Sequence, residues 1–235
     1  MKYRVKHEIG FQEVNTREDY QEVLLLRERA YAASGKAAPV MSYEQTYSLG
    51  DGKVVGFYHR DRLVASFMVR FPGCHALLES VDLPLGHYPE KLPRKEKTIE
   101  ISKLCIDQEF RKTDLLKMLF EQVHRELVLS RRSSIVICCE ERLIRMYRAI
   151  GFGFTGFSFQ KQERHFEIMV TTQRRFGLYG AHVGPIRWNL FLGEVTRAML
   201  ERGEVQPSPL YVALWSLYGF FAPVAILLEN RRIKS

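Results

Sequence analysis

In the middle of the chain, successive segments have apolar side chains at strand spacing and at helix spacing in turn. Residues 98–106 predict a strand, and residues 113–129 predict a helix because their Leu, Met and Val side chains form one broad stripe. The apolar run at residues 135–139 is typical of a parallel strand buried on both faces. A helix over residues 140–150 then ends at Gly151. A strand–helix–strand–helix unit is therefore expected here.

Weaker patterns flank this unit. Residues 36–51 have no clean period and predict a loop or broken helix, and the proline-containing stretch 72–97 predicts an irregular excursion with one short strand near residues 77–81. The other predicted elements are a first strand at residues 3–7, a helix at 19–33 with Leu24, Leu25 and Tyr31 at helical spacing, a hairpin of strands 54–58 and 63–71 joined by residues 59–62, an antiparallel pair at 152–160 and 165–172, and helices at 186–202 and 208–230.

Composition places few limits on function. The 235-residue chain is 46% hydrophobic and 26% charged, as in an ordinary globular protein. Its net charge of +8 suggests an acidic partner, which could be a nucleic acid, a membrane surface or an acidic protein. No aromatic–basic motif or recognition-helix signature supports nucleic-acid binding, so none is expected. The four cysteines lack metal-ligand spacing, which predicts no metal site and fits a reducing cytoplasm.

Residues 210–228 carry no charged side chain and are long enough to span a bilayer. Gly219 and Pro223 interrupt the run, and its aromatic residues are spread through the middle instead of gathering at both ends. We expect a helix packed against the domain or lining an acyl pocket. The alternatives are a helix at the membrane interface, with contact through residues 208–235 and their basic tail, and a true span. Because the N-terminus lacks an apolar segment, no signal peptide is expected.

Two motifs bracket the central unit. Residues 100–111 are Glu-Ile-Ser-Lys-Leu-Cys-Ile-Asp-Gln-Glu-Phe-Arg, and residues 147–152 are Tyr-Arg-Ala-Ile-Gly-Phe. A strand ending in Asp-x-x-Phe/Tyr-Arg and a closing Tyr-x-x-x-Gly-Phe resemble the core of the GNAT acyltransferase fold. The resemblance implies an α/β (α+β) domain with a mixed, mostly antiparallel sheet flanked by helices. Its two parallel strands would splay apart around a thioester, between Ser102 and Ile137. Residues 1–180 would form this domain, and residues 181–235 a C-terminal helical extension.

The turn after the fourth main strand bears on the acyl donor. GNAT enzymes that use coenzyme A carry Gln/Arg-x-x-Gly-x-Gly/Ala there, whereas Asp114 and Leu116 occupy the small-residue positions here. A carboxylate at that place should repel a pyrophosphate. The expected donor is therefore acyl carrier protein through its phosphopantetheine, with a coenzyme A thioester less favoured and no permanently bound cofactor. Candidate carrier contacts, which could instead only solvate a face, are Arg94, Lys95, Lys97, Arg111, Lys112 and Lys117.

A second resemblance covers about residues 19–159. Leu26-Arg27 with Ala30-Tyr31, the strand from Leu63 to Arg70, and Glu100-Ile-Ser102-Lys103 resemble motifs of the FeeM-like long-chain N-acyl amino acid synthases, which are related to the acyl-homoserine lactone synthases. Two further positions extend the comparison. Asp51 matches the second aspartate of the family's Asp-x-x-Asp pattern, whereas Ser48 replaces the first and Lys103 replaces an arginine. These departures concern the acceptor more than the reaction.

The resemblance also implies roles for individual residues. Glu100 would be the general base, or else a partner in a structural ion pair. Arg27 and Arg70 would clamp the acceptor's carboxylate, or order Asp51 and Glu100. Tyr147 would protonate the leaving thiolate, or simply pack on its helix. Backbone N–H groups near Leu104 and Cys105, in the strand that carries Ser102 and Lys103, would hold the thioester oxygen. Direct transfer is expected rather than an acyl-cysteine at Cys105.

These observations predict a cytoplasmic N-acyltransferase, with peripheral attachment to the inner membrane as an alternative. It would move a medium or long fatty acyl group from acyl carrier protein to the amine of an amino acid or similar small amine. The alternatives are a synthase of the acyl-homoserine lactone type, one of the ornithine-lipid type, and a coenzyme A acetyltransferase. A non-catalytic GNAT-like module that binds a carrier protein or membrane is the alternative outside enzymes.

Overall fold

The computed structural model describes residues 9–33, 35, 38, 41–47, 52–71, 92–111, 113–161, 164–173 and 175–176. In this part of the chain a seven-stranded sheet has the order β1-β2-β3-β4-β5-β7-β6. Every neighbouring pair is antiparallel except β4 and β5, which are parallel. The strands are β1 Ile9–Glu13, β2 Gly52–His59, β3 Arg62–Arg70, β4 Thr98–Ile106, β5 Ser134–Glu140, β6 Gly153–Lys161 and β7 Arg164–Thr172.

Four described helices accompany the sheet. They are α1 Arg17–Ala32, α2 Tyr43–Tyr47, α3 Leu115–Leu129 and α4 Glu141–Ala149. The start of α1 follows from its sequence, because the Thr16 hydroxyl accepts a hydrogen bond from the Asp19 N–H at 3.1 Å. Glu18 and Asp19 also place negative charge in the first turn, where the helix dipole favours it. None of the helices in the described ranges is long and apolar enough to cross a membrane.

The hairpin between β2 and β3 turns on two residues. Arg60 and Asp61 have φ values of 50° and 64°, which is the left-handed pair that a two-residue hairpin turn requires. The tight turn predicted at residues 59–62 is therefore confirmed. It aligns β2 with β3 so that Gly52 lies opposite Arg70 at the far end of the hairpin.

The core has two main parts, one on each face of the sheet. The larger cluster joins β2–β5 and β7 to the apolar stripe of α3 and to Tyr147 of α4. The smaller cluster joins β2, β3 and Cys105 to the buried side of α1. Helices on both faces of one sheet leave the ends of the strands available for a site.

Most predicted elements are confirmed, with shifted ends, and β4 has the predicted bounds. The Leu25 side chain of α1 is 53% exposed, and the helix buries Tyr20, Val23, Leu26, Arg27 and Ala30. The sequence patterns also missed β1. The predicted strands at residues 3–7 and 77–81, the helices at 186–202 and 208–230, and the extension 181–235 lie outside the described residues.

Candidate functional site

The parallel strands β4 and β5 are paired at one end only. Thr98, Ile99 and Glu100 lie opposite Ser134, Ile135 and Val136, and no further pairing joins the two strands. β4 nevertheless continues to Ile106, and β5 to Glu140. The two strands therefore splay into a wedge that opens towards their carboxyl ends. The predicted gap between Ser102 and Ile137 is confirmed, since both residues lie just beyond the last pair.

A bulge lies in β4 beside this wedge. Ser66 of β3 pairs with Cys105 and Met68 pairs with Ser102, so Phe67 alone faces both Lys103 and Leu104. Lys103 has a φ of 51°, a left-handed conformation that is uncommon for a residue other than glycine. Such a bulge bends the strand and redirects its backbone groups. On the edge of β4 that faces β5, the N–H groups beyond Glu100 have no ladder partner in the described strands.

Glu100 sits at the last pair before the wedge opens. Its side chain is 2% exposed. It lies opposite Arg70 of β3 and Val136 of β5, which puts the carboxylate and the half-buried guanidinium group on the same face of the sheet. That face is the one on which α1 packs, because Met68 and Cys105 belong to it as well. The predicted base and one predicted clamp are thus brought together at the closed end of the wedge.

Arg27 reaches the same region from α1. Its side chain is fully buried, and none of its three nitrogens has a hydrogen-bond partner in the described part of the chain. The guanidinium carbon lies 5.9 Å from the centre of the Tyr20 ring. Burying an unpaired guanidinium is costly, so an anion that pairs with Arg27 would be bound favourably.

Lys103 and Arg70 converge on one uncharged atom. Both the Lys103 ammonium group and the Arg70 guanidinium group contact the Sδ atom of Met41, the latter at 3.9 Å. A thioether is a weak hydrogen-bond acceptor and carries no charge. Burial lowers the pKa of Lys103 to about 7, and the positive charges of Arg27, Arg70 and Lys161 contribute, while Glu100 opposes them. Several cations therefore lie within electrostatic reach of Lys103.

Replacing Lys103 with methionine is expected to stabilise the protein at pH 7 by about 1–3 kcal/mol, after allowance for solvent screening. The folded-state pKa of Lys103, about 7, lies below its usual 10.5, so between these values the unfolded chain binds the extra proton. The wild-type free energy of unfolding should therefore rise from pH 7 to pH 9 relative to that of the variant. Urea unfolding of both proteins at several pH values measures the difference. A difference independent of pH would contradict the shift.

Tyr147 lies in the core below the wedge. The side chain is 7% exposed, and its ring packs edge-on against Phe120 and Phe152 at centroid distances of 6.1 and 5.5 Å. Burial raises the pKa of Tyr147, and Cys138 and Cys139 contribute. The phenol is thus held protonated at neutral pH. Its packing fits the alternative role, and its use as an acid stays a prediction.

The remaining predicted substrate contacts lie along β4. Ser102 and Leu104 are half-buried, and Leu104 packs against the larger core cluster. Cys105 is buried, with its Sγ 3.3 Å from the Ser66 hydroxyl oxygen, and burial raises the pKa of its thiol. A thiol with a raised pKa is a poor nucleophile, which favours direct transfer. Asp51 lies outside the described residues.

Contacts after β4 account for the Asp-x-x-Phe-Arg motif of residues 107–111. Asp107 binds Arg62 at 2.8 Å and accepts a hydrogen bond from the Glu109 N–H. Arg111 donates to the carbonyl oxygens of Ala30 at 2.7 Å and Ile106 at 3.3 Å, which ties the end of α1 to the end of β4. Asp114 occupies the N-cap position of α3. A carboxylate therefore stands at the helix end where a phosphate would otherwise be favoured.

The predicted carrier contacts do not form one patch. Arg94, Lys95 and Lys97 are exposed and precede β4, at the closed end of the wedge. Arg111 and Lys117 follow β4, at the open end, about 26 Å away along a nine-residue strand. Lys112 lies outside the described residues. The open end is also where α4 begins, with Arg142, Arg145 and Arg148 on its exposed face.

Four residues near the site have no predicted role in the sequence, although one of them, Tyr31, belongs to the motif that resembles the FeeM-like synthases. Tyr31, Met41, Cys138 and Lys161 come from α1, the segment before α2, β5 and β6. The electrostatic neighbours of Tyr31 include Arg27 and Cys138, and those of Cys138 include Glu100 and Lys161. Burial raises the pKa of the Cys138 thiol to about 12. No sequence signal joins these residues, because their proximity depends on strand order.

Comparison with known proteins agrees with this geometry. Residues 22–170, more than half of the chain, match the model of the family described as N-acyl amino acid synthase FeeM. No curated protein sequence matches the chain. Among solved structures, FeeM from uncultured soil microbes has a TM-score of 0.56 at 11% identity, over 72% of this chain and 92% of that one.

Two other solved structures share the fold. An acyl-CoA N-acyltransferase from Pseudomonas aeruginosa has a TM-score of 0.53 at 14% identity, over 69% of this chain and 97% of that one. MesI, described as a CoA-dependent acyl-homoserine lactone synthase, has a TM-score of 0.53 at 14% identity, over 74% and 94%. The predicted GNAT fold is thus confirmed. With the family match over residues 22–170, the chain belongs to the FeeM family of N-acyl amino acid synthases and is an N-acyltransferase.

Proposed function

We propose that the protein transfers a fatty acyl group from the phosphopantetheine of acyl carrier protein to the amine of an amino acid or similar small amine. The observation that carries this proposal is the wedge between β4 and β5, with Glu100 at its closed end and Arg27 buried nearby. The thioester would enter from the open end, between strands that have no pairing to break. The acceptor would lie on the α1 face, where the charged groups converge.

In the proposed reaction, Glu100 accepts a proton from the acceptor's ammonium group, and the free amine attacks the thioester carbonyl carbon. Unpaired N–H groups of β4 near the bulge at Lys103 and Leu104 would hold the oxygen as its negative charge develops. The carbon–sulfur bond then breaks, and the thiolate takes a proton, for which Tyr147 is the candidate donor. The products are an amide and the free thiol of the carrier.

The position of the Asp114 carboxylate supports acyl carrier protein, rather than coenzyme A, as the donor. Asp114 at the start of α3 opposes a pyrophosphate, whereas the single phosphate of phosphopantetheine makes less demand on this turn. Basic side chains on the exposed face of α4 and at Lys117 would meet the acidic surface of the carrier. A coenzyme A thioester is the second candidate, because the structurally similar MesI is described as CoA-dependent.

The two donors can be compared directly. Purified protein is incubated with a mixture of amino acids and either acyl carrier protein thioesters or the matching coenzyme A thioesters, and mass spectrometry identifies any amide formed. We expect amides from both, with kcat/KM at least tenfold higher for the carrier-bound donor. Equal or higher kcat/KM with coenzyme A would overturn the choice of donor. Absence of any amide would overturn the proposed function.

A charge reversal tests the docking side in the same assay. Arg145→Glu, at the open end of the wedge, should raise KM for the carrier-bound donor about tenfold and leave KM for the coenzyme A thioester unchanged. Lys95→Glu is the matched control, because this exposed lysine lies at the closed end. If the two substitutions change KM for the carrier-bound donor equally, the carrier does not dock specifically at the open end.

A further inference from the structure

Among the described residues, positive charge exceeds negative charge around Lys103 and Glu100. Besides burial, the positive charges of Arg27 in α1, Arg70 in β3 and Lys161 in β6 lower the pKa of Lys103 in β4. Within the described ranges, Glu100 is the one carboxylate whose charge acts on Lys103. The carboxylate of Glu140, at the open end of the wedge, is paired with Arg142 at 3.0 Å and Arg164 at 3.7 Å.

The excess charge is divided between two positions. Arg27 forms the first, where a fully buried guanidinium group has no hydrogen-bond partner among the described residues. Arg70 and Lys103 form the second, where two cations from adjacent strands converge on the thioether of Met41. An anionic group would satisfy the donors at either position far better than an aromatic ring or a sulfur atom does.

A zwitterionic acceptor would compensate only one of these positions. Its ammonium group would face Glu100 and its carboxylate one set of cations, which leaves the other set without a counter-charge. We infer that the acceptor is an amino acid with an anionic side chain, a carboxylate or a phosphate, so that one anion meets Arg27 and the other meets Arg70 and Lys103. This inference rests on the proposed function, and it specifies the substrate class of that site.

The distance of each anion from the reacting amine decides which cations it meets. The α-carboxylate is one carbon from the reacting amine and must stay near Glu100, which lies directly opposite Arg70 in the sheet. The side-chain anion extends farther and would reach Arg27, which comes from the helix packed over the sheet. The thioether of Met41 would give way to the α-carboxylate.

Competition between paired acceptors tests the inference. Equal concentrations of glutamate and glutamine, aspartate and asparagine, or phosphoserine and serine are supplied with one acyl thioester, and mass spectrometry gives the ratio of the two amides. We expect the anionic member of at least one pair to be favoured by about 100-fold, since a site built for a polar group rejects the analogue that lacks it. The three pairs also distinguish a carboxylate from a phosphate. Ratios near one for every pair would overturn the inference.

Single substitutions test whether Arg27 causes the preference for the anionic acceptor. Arg27→Met should reduce the ratio at least tenfold, whereas Arg17→Met, an exposed arginine at the start of the same helix, should leave it unchanged. Both products form in one tube, so a general loss of activity or stability cancels from the ratio. An unchanged ratio in Arg27→Met would overturn the assignment.

Binding provides a readout without turnover. Glutamate should raise the Tm of the protein more than glutamine at the same concentration, and Arg27→Met should abolish the difference. If glutamate binds selectively and no amide forms from any acceptor, the anion site stands and the proposed function fails. If amides form equally from both members of every pair, the function stands and the inference fails.

Discussion

Replacing Glu100 with glutamine is expected to lower kcat for amide formation by about 10²–10⁴-fold while the protein stays folded. Glutamine has nearly the same shape as glutamate, so the packing of this 2% exposed side chain between Arg70 and Val136 should persist. An amide cannot accept the proton that the acceptor's ammonium group must lose. The rate of amide formation, measured by mass spectrometry at saturating donor, gives the effect.

Glu96→Gln supplies the control for this experiment. Glu96 is exposed on the 3-10 turn that precedes β4, so its replacement should change neither rate nor stability. A Glu100→Gln protein that unfolds normally and retains more than a third of the wild-type rate would remove Glu100 from the role of base. It would leave a structural ion pair as the role of this carboxylate.

The second large effect is expected when the wedge is filled. Cys138 lies in the part of β5 that has no pairing with β4, and its electrostatic neighbours include Glu100 and Lys161. A tryptophan here would occupy the space that the pantetheine arm needs. Cys138→Trp should therefore lower kcat/KM more than 10³-fold with either donor, because both thioesters enter through the same gap.

Cys138→Ala distinguishes blocking from loss of the thiol. The raised pKa of this thiol gives it no role as a thiolate, so the alanine variant should retain most of its activity. Circular dichroism and thermal unfolding establish that both variants are folded. A folded tryptophan variant with near wild-type kcat/KM would show that the thioester does not lie between β4 and β5.

Hydrophobic spacing was sufficient to predict most of the sheet. β4 was predicted with its observed bounds because Pro93 and the charged run before it end one pattern and Asp107 ends the next. β1 was missed because one side chain of its five is half-buried and four are exposed, so no alternation marks it. Leu25 belongs to the apolar spacing that predicts α1, yet its side chain is exposed and the helix buries Arg27.

Arg27 shows why the sequence could not complete the site. A buried arginine on the inner face of a helix contradicts the usual pattern, and it was named only through a family motif. Its fully buried state, its lack of a hydrogen-bond partner among the described residues and the convergence of Arg70 and Lys103 on Met41 depend on three separate elements. The spacing of residues along the sequence carries no information on such contacts.

The sequence by itself determined the order of most strands and helices along the chain and the apolar stripe of α3, and the family resemblance supplied the candidate base. Local spacing is enough for the individual elements, because burial of apolar faces sets them one element at a time. Only the tertiary structure decided that β4 and β5 separate after Glu100, that Lys103 takes a left-handed conformation, and that the charges of Arg27, Arg70, Lys161 and Glu100 act on Lys103. These features arise from pairing between distant segments, which fixes distances and charges that no stretch of sequence contains alone.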